Sequence, residues 1–210
     1  MPWEKNFDIA ATLDKAMRAF WTRGFAATSI QDLVECTGIN RASLYATYGD
    51  KRALFLAALE LYDRRERRAK LDELERRHPP LDAIGALFTG FITPCAKRRG
   101  CFLTNTALEM APHDREIGRR VAAAQADLEA FFKRLIERGQ QDGSVSSALD
   151  PAAAAAGLLA ALLGLMVLAR SRPEPALLNA VAADACERLR PRDTTHRRRQ
   201  ANRKPAVTAE

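Results

Sequence analysis

The stretch from 28 to 55 constrains the fold of this chain more than any other part of its 210 residues. It predicts two short helices followed at once by a longer one. Thr28 is a good N-cap for the first helix, and Gln31 three places later completes a capping box. Gly38 suits the left-handed backbone of a tight turn, and Asn40 can cap the second helix. Two short helices joined in this way form the unit that lays its second helix in the major groove of DNA.

The same residues carry a family resemblance. The stretch closely resembles the DNA-binding domain of the TetR/AcrR family of transcriptional regulators. The matching positions are Thr28, Asp32, Leu33, Gly38, Ile39, Leu44, Tyr45, Tyr48, Lys51 and Leu54. The chain departs from the family pattern at Ala46 and Thr47, where a histidine and an aromatic residue are common. The resemblance implies a homodimeric repressor that binds a palindromic operator in double-stranded DNA and leaves it when a signal reaches the C-terminal part.

Helical periodicity runs through the rest of the chain and predicts an all-α fold of about nine helices. Helices are expected near 7–23, 29–36, 40–46, 50–77, 80–98, 101–110, 114–141, 151–170 and 174–190. We expect a helix-turn-helix DNA-binding domain at 1–50, a helical regulatory and dimerisation domain at 51–190, and a basic disordered tail at 191–210. The boundary near 50 has no flexible linker in the sequence, which favours mechanical coupling between the two domains.

DNA contacts are assigned by residue type within the helix-turn-helix. Arg41 is the best candidate for a bidentate guanine contact, with a phosphate contact as the alternative. Lys51 begins the long helix, and both its charge and the helix end favour a phosphate. Tyr45 and Tyr48 match family positions where tyrosine supports the core or reaches the DNA backbone, and core packing is favoured for Tyr45. The predicted set is Thr28, Ser29, Asn40, Arg41, Ser43, Tyr45, Thr47, Tyr48 and Lys51.

The resemblance also implies a ligand pocket in the second half of the chain. Its predicted lining is Phe88, Phe91, Cys101, Phe102, Leu108, Met110, Phe131 and Leu162, and an apolar lining favours a hydrophobic ligand. The alternative for each residue is ordinary core packing. Cys101 follows Lys97, Arg98 and Arg99 and begins a helix, and both features favour a reactive thiolate. Modification of Cys101 is therefore a second candidate signal, with an inert buried thiol as the alternative.

Residues 152–169 carry no charge and are as long as a short membrane span. The run is rich in alanine, and a helix that is apolar all round can equally be buried in an interface. The resemblance to TetR-type regulators, which bury this helix in their dimer contact, implies a dimer contact here, and we expect no membrane partner. The expected contacts are Leu158, Leu162, Leu165 and Met166, with the core of each subunit as the alternative place for them.

The charge and the cysteine pattern limit the remaining function classes. The formal net charge is +7, and the tail at 191–210 has a surplus of +4 that could add non-specific DNA affinity or have no dedicated role. The four cysteines show no C-x-x-C spacing and the three histidines are scattered, so neither a metal site nor a cofactor is expected. No signal peptide is visible, which favours the cytoplasm.

The sequence favours one of three function classes. The first is a repressor that responds to a small hydrophobic ligand or to thiol modification. The alternative is an architectural DNA-binding protein without an inducer, which should bind decoy DNA almost as well as its own site. A helical enzyme is not supported, because the sequence has no Gly-rich phosphate loop and no nucleophile motif.

Overall fold

The computed structural model describes residues 7–93 and 99–191, and these residues form an all-α fold. Within these two ranges there are nine helices, which confirms the predicted fold class. They are α1 (Ile9–Arg23), α2 (Ile30–Thr37), α3 (Arg41–Tyr48), α4 (51–77), α5 (Pro80–Gly90), α6 (Phe102–Glu109), α7 (Arg115–Asp142), α8 (Pro151–Ser171) and α9 (Pro175–Glu187). The predicted basic tail lies outside the described residues, apart from Pro191.

Short polar residues and glycines set the ends of the helices. Asn40 accepts a hydrogen bond from the backbone N–H of Ser43 at 2.9 Å, as predicted, and so begins α3. Gly38 ends α2 in the left-handed conformation, with φ 76° and ψ 11°. The turn that defines the helix-turn-helix therefore forms where the sequence predicts it.

The N-cap of α2 was predicted one residue too early. Ser29, not Thr28, caps the helix, and its hydroxyl accepts a hydrogen bond from the N–H of Asp32 at 3.0 Å. Asp32 returns the contact by accepting from the N–H of Ser29 at 2.8 Å, which completes a capping box. Thr28 is fully buried, and its hydroxyl donates to the carbonyl of Gly24 at 2.6 Å. Its side chain therefore closes the preceding turn.

The first three helices pack against the beginning of α4. Met17 and Phe20 of α1 are fully buried together with Leu33 of α2, and Leu44 of α3 is nearly so. Phe55 of α4 closes this small core and makes an edge-to-face contact with Phe20 at a centroid distance of 5.1 Å. The helix-turn-helix part thus depends on α4 for its own packing.

The same aromatic cluster continues into the second half of the chain. Phe55 also packs edge-to-face on Phe102 of α6 at 5.4 Å, and Phe102 packs on Tyr62 at 5.6 Å. The buried apolar residues form one connected cluster that runs from α1 to α9. In the described chain, α4 begins three residues after α3 ends, and the buried cluster is continuous across this boundary.

The second half is a bundle around α7. Helices α5, α6 and α8 pack on α7, and α9 lies against α5 and α8. Among the described helices, α8 alone is long and apolar enough to cross a membrane by length and composition. Its Leu158, Leu162 and Leu165 are buried inside this chain. The packing on α7 and α9 makes α8 a core helix of the bundle.

Candidate functional site

Helix α3 presents a polar and small-residue face to solvent. Leu44 is buried beneath it, while Arg41, Ala42 and Ala46 are exposed. The Arg41 guanidinium lies 5.3 Å from the centroid of the Tyr45 ring, and it forms no salt bridge with any residue in the described ranges. An arginine held by its own helix and not committed to a carboxylate is suited to binding an acceptor on DNA.

Four of the predicted DNA contacts have hydroxyls engaged inside the protein, and one of them is Ser29, whose hydroxyl donates to the Asp32 carboxylate at 2.7 Å. Thr28 cannot present its hydroxyl to DNA, because it is fully buried. The hydroxyl of Thr47 donates to the carbonyl of Ser43 at 2.9 Å, and that of Tyr48 donates to the carbonyl of Ile9 at 3.2 Å. Burial also raises the pKa of Tyr48. Thr28 is therefore removed from the predicted DNA-binding set, and Tyr48 serves to hold α3 against α1.

Lys51 lies at the first turn of α4 beside the head, which is the part of the chain formed by α1, α2 and α3. Its Nζ is 4.3 Å from the centroid of the Phe25 ring, and partial burial lowers the pKa of Lys51. Ser29 is exposed at the start of α2. The pKa of Asp32 is lowered, first by its hydrogen bonds with Ser29 and then by the neighbouring Arg23. Cations therefore lie at three helix ends, with Arg23 at the end of α1, Arg41 at the start of α3 and Lys51 at the start of α4.

An apolar cavity of about 180 Å³ lies within the bundle. Residues of α4, α5, α6, α7 and α8 line it, and most of these side chains are apolar. The apolar lining includes Leu71, Leu87, Phe91, Leu103, Val121, Leu128, Leu162 and Met166. Polar side chains also line the cavity, and they are Tyr62, Glu66, Arg67, Lys70, Thr104 and Gln125. The cavity combines a large apolar wall with a small polar region, which is typical of small-molecule sites.

Three of the eight residues predicted to line a pocket border this cavity, and they are Phe91, Cys101 and Leu162. Phe88, Phe102 and Phe131 are in the solid core and do not line it. Leu108 is 69% exposed on the outer side of α6, and Met110 follows the end of that helix and does not border the cavity. Periodicity shows which face of a helix is buried, but it does not show which buried residues border a void.

Cys101 occupies the N-cap position of α6 and is 5% exposed. Its Sγ accepts a hydrogen bond from the hydroxyl of Tyr62 at 3.4 Å. The guanidinium of Arg99 lies over the Trp21 ring at 5.4 Å. Lys97 and Arg98, the other cations that the sequence analysis placed near this thiol, lie outside the described residues. Because Cys101 is nearly buried and lines the cavity, its thiol can be reached mainly from the cavity side.

The other described cysteines and histidines form no further site. Burial raises the pKa of the Cys36 thiol and of the Cys186 thiol, which disfavours their reactive thiolates. Over residues 7–93 and 99–191, no group of three or more potential metal ligands comes together.

Helix α6 is bonded to the head near both of its ends. The indole N–H of Trp21 donates to the carbonyl of Gly100 at 3.0 Å, just before α6 begins. At the other end, the Glu109 carboxylate accepts the backbone N–H groups of Phe25 at 3.1 Å and Ala26 at 2.8 Å. Sequence reasoning did not find these two contacts, because each joins residues about eighty positions apart.

The predicted dimer contacts on α8 face inward. Leu158, Leu162, Leu165 and Met166 are all buried within this chain. The alternative interpretation, in which they fill the core of their own subunit, therefore describes their positions. The exposed positions of α8 are instead small residues and one valine as far as Val167, and Arg170 and Ser171 follow at its end. The small residues are Ala152, Ala153, Ala156, Gly157, Ala160 and Gly164.

Two family models match the chain. The model for bacterial regulatory proteins of the tetR family matches residues 13–58, and the model for the tetracyclin repressor-like C-terminal domain matches residues 78–184. The first covers the helix-turn-helix and the start of α4. The second covers the bundle that holds the cavity.

Similar proteins agree with these matches. The HTH-type transcriptional regulator YezE of Bacillus subtilis is 34% identical over 68% of this chain and 75% of its own length. The HTH-type transcriptional repressor ComR of Escherichia coli is 32% identical over 79% of this chain and 81% of its own. Among solved structures, a cysteine mutant of the TetR family regulator CifR bound to 26 bp operator DNA is 28% identical. Its TM-score is 0.76, and the match covers 87% of this chain and 97% of that one.

The resemblance in the helix-turn-helix, the all-α bundle behind it and the two matching family models lead to the same conclusion. No catalytic role is expected in such a protein. The chain belongs to the TetR family of bacterial regulatory proteins and is a helix-turn-helix transcriptional regulator, not an enzyme.

Proposed function

We propose that this regulator is a homodimeric repressor that binds a palindromic operator and leaves it when its C-terminal bundle receives a signal. The signal is a small hydrophobic molecule in the cavity or a modification of Cys101. The observation that carries the proposal is the position of α6. It borders the cavity through Leu103 and Thr104, and it is bonded to the head near both ends.

DNA reading is assigned to α3. Arg41 is exposed and free of salt bridges within the described chain, and Ala42 and Ala46 are small enough to let the helix approach the groove closely. Asn40 and Ser43 flank Arg41 at the N-terminal end of α3, the end that contacts base edges in such motifs. CifR was solved on double-stranded operator DNA, and this likeness supports the same mode here.

Phosphate contacts are assigned to residues around α3. Lys51 stands at the N-terminus of α4, where its charge and the helix end both favour an anion. Ser29 and Tyr45 complete the set, together with Thr47 and Tyr48 in supporting positions. We assign DNA binding to the domain at 1–50 and reception of the signal to the domain at 51–190. We also propose that the protein acts in the cytoplasm.

A dimer follows from the small size of one recognition helix. A helix of this length reads a few base pairs, so specific affinity needs two copies spaced by about one turn of DNA. The outward faces of α8 and α9 are the proposed contact. Gly157 and Gly164 are exposed on α8, and a Cβ added at either position would meet no atom within 4 Å. A second backbone can therefore approach them closely.

Signal transfer is assigned to α4 and α6, because both border the cavity and both contact the head. A ligand that separates these helices changes the positions of the heads in the dimer. Ligand and operator then oppose each other, and each weakens binding of the other by the same factor. Modification of Cys101 would act on the same helices, because its sulfur contacts Tyr62 of α4 from the N-cap of α6.

The operator experiment is fluorescence anisotropy on the DNA upstream of the gene, with excess decoy DNA. The wild type should bind selectively. Arg41→Met should weaken specific binding by about tenfold to a hundredfold, because a bidentate base contact is worth about 1–3 kcal/mol. Arg18→Met is the matched control, since it removes one exposed cation from α1. Equal binding to operator and decoy would instead favour the architectural alternative.

The dimer is tested by analytical ultracentrifugation. Ala160→Glu places a charge at the centre of the outward face of α8 and should shift the protein to monomers. Ala126→Glu places the same charge on an exposed position of α7 and should leave the dimer intact. Monomers in both variants, or dimers in both, would contradict the assigned interface.

The thiol signal is tested on the same DNA with a mild thiol oxidant. If Cys101 is the sensor, oxidation releases the operator, reductant restores binding, and Cys101→Ser no longer responds. Cys186→Ser is the control and should respond as the wild type does. An operator complex that ignores the oxidant assigns the signal to a non-covalent ligand of the cavity.

A further inference from the structure

Arg67 has an uncommitted nitrogen in a nearly buried side chain. Its side chain is 10% exposed, with Nε bonded to Asp63 and Nη2 bonded to Asp127 at 3.1 Å. Its Nη1 is buried and finds no hydrogen-bond partner in the part of the chain that the structure describes. A buried donor without an acceptor costs free energy, so such a group calls for an explanation. Arg67 also lines the apolar cavity, which supplies one.

The inward position of Arg67 results from an irregularity in α4. Residues Lys51–Tyr62 and Ala69–Arg77 are α-helical, but Asp63–Arg68 between them is π-helical. Along α4 the residues that line the cavity are Tyr62, Glu66, Arg67, Lys70 and Leu71, so Arg67, five residues after Tyr62, lines it beside Glu66, four residues after Tyr62. An α-helix would repeat after three or four residues. The wider π turn therefore brings an arginine into the cavity wall, and such π segments often lie at functional sites.

The surrounding charges indicate what kind of acceptor fits. Arg67 is already paired with Asp63 and Asp127, and Arg68 contacts the same two carboxylates at 2.8 Å and 3.3 Å. At the cavity itself, Lys70 and Glu66 both belong to the lining, and Lys70 is bonded to Glu73 at 3.4 Å. The local charges balance, so an anion would add an excess negative charge in a poorly hydrated place. An uncharged acceptor satisfies Nη1 without that penalty.

We propose that the cavity binds a small, uncharged and largely apolar molecule whose one carbonyl oxygen accepts a hydrogen bond from Arg67 Nη1. The apolar body lies against Leu87, Leu162 and Met166. A cavity of about 180 Å³ holds a molecule the size of a substituted benzene. This inference rests on the proposed function, because it names the ligand class of the cavity that the repressor uses. It places the hydrogen-bond donor for the ligand on α4, the helix that continues into the head.

The decisive variants are Arg67→Met and its neighbour Arg68→Met. Arg67→Met keeps an unbranched apolar stem and removes the donor. Asp63 and Asp127 keep a partner in that variant, because Arg68 still contacts both of them. Arg68→Met removes the other cation from the same two carboxylates, but Arg68 is 60% exposed and does not line the cavity. The pair therefore separates loss of the cavity donor from disturbance of the ion pairs.

The probes are acetophenone, ethylbenzene and benzoate, which share a ring and differ in the group attached to it. Binding is followed by methyl NMR titration of the full-length protein, with Leu162 and Met166 as reporters at the cavity. Arg67→Met should weaken acetophenone about tenfold relative to ethylbenzene, as expected for loss of one hydrogen bond to a charged donor. Arg68→Met should leave the ratio of the two dissociation constants unchanged.

Three outcomes overturn the inference. The first is a ratio of dissociation constants that Arg67→Met does not alter, or that both variants alter equally. The second is tighter binding of benzoate than of acetophenone, which would make the ligand an anion. The third is that neither acetophenone nor ethylbenzene shifts the methyl signals of Leu162 and Met166.

Operator binding without any probe is measured on the same samples. A wild type that fails to select its operator contradicts the proposed function, whereas the NMR titration decides the ligand class independently. Selective operator binding together with an unaltered probe ratio contradicts only the ligand class.

Discussion

Replacing Glu109 by alanine should release the head from α6 without unfolding it. The carboxylate accepts the N–H groups of Phe25 at 3.1 Å and Ala26 at 2.8 Å, and these two groups have no other hydrogen-bond partner in the described chain. Gly24 makes the approach possible, since a Cβ at that position would lie 2.7 Å from Glu109 Oε2. The turn after α1 is therefore shaped around this carboxylate.

The magnitude follows from the two bonds and their exposure. A hydrogen bond to a charged group contributes about 1.5–3 kcal/mol when it is well shielded. The bond to Ala26 is exposed and that to Phe25 only partly buried, so water replaces much of the loss. We expect the pair to contribute about 1.5 kcal/mol to local stability, which is about a tenfold change in the opening equilibrium. The core of the head does not include Glu109 and should remain folded.

Amide hydrogen exchange measures this opening directly. In Glu109→Ala, the Phe25 and Ala26 amides should exchange about tenfold faster, whereas the amide of Leu33 in the head core should keep its wild-type rate. Glu35→Ala is the control, because it removes one exposed carboxylate from α2 without touching α6. If Glu109→Ala leaves both turn amides at wild-type rates, or if Glu35→Ala accelerates them equally, then Glu109 does not connect α6 to the head.

Two further predictions concern stability. Gly139→Ala should lower the free energy of unfolding by about 1–3 kcal/mol in urea titrations, because its Cβ would lie 2.5 Å from Val145 Cγ2. Gly90→Ala, where a Cβ meets nothing within 4 Å, should not be destabilising. Arg52 lowers the pKa of the Asp114 carboxyl, chiefly through its hydrogen bond. The contact between the two side chains therefore stabilises the fold above the unfolded pKa of about 4, and this contribution is lost as the pH falls through the lowered folded pKa. Arg52→Met should therefore flatten the loss of stability below about pH 4, and an unchanged acid limb would contradict this assignment.

The sequence predicted the helices well because their ends depend on local chemistry. Asn40 and Asp150 cap the helices that follow them, and Gly38 adopts the left-handed conformation that its turn needs. The one misplaced cap, Thr28 in place of Ser29, arose where two hydroxyl residues are adjacent. Either residue can cap a helix by type, and the position of Asp32 three residues after Ser29 decides between them.

Tertiary features were less accessible to sequence reasoning. Leu158 and Leu165 were correctly recognised as buried apolar residues, but they are buried within their own subunit rather than left open to a second copy. The pattern of α8 contributes to the difficulty, because the helix is apolar on every side and its periodicity selects no face. Phe88 and Phe131 similarly belong to the solid core, and only the packing of five helices determines where the void lies.

The inward turn of Arg67 depends on the one place where the described α4 abandons the regular repeat. A helical wheel drawn with 3.6 residues per turn puts Glu66 below Tyr62 and leaves Arg67 beside it in a charged, solvated segment. The π turn widens the repeat, so that Arg67 lines the cavity together with Glu66. The same helix supplies Phe55 to the core of the head. The helix that carries Arg67 is therefore packed at its other end inside the helix-turn-helix part. If a ligand binds Arg67 as proposed, we expect a change in the phase or tilt of α4 to move the head with it.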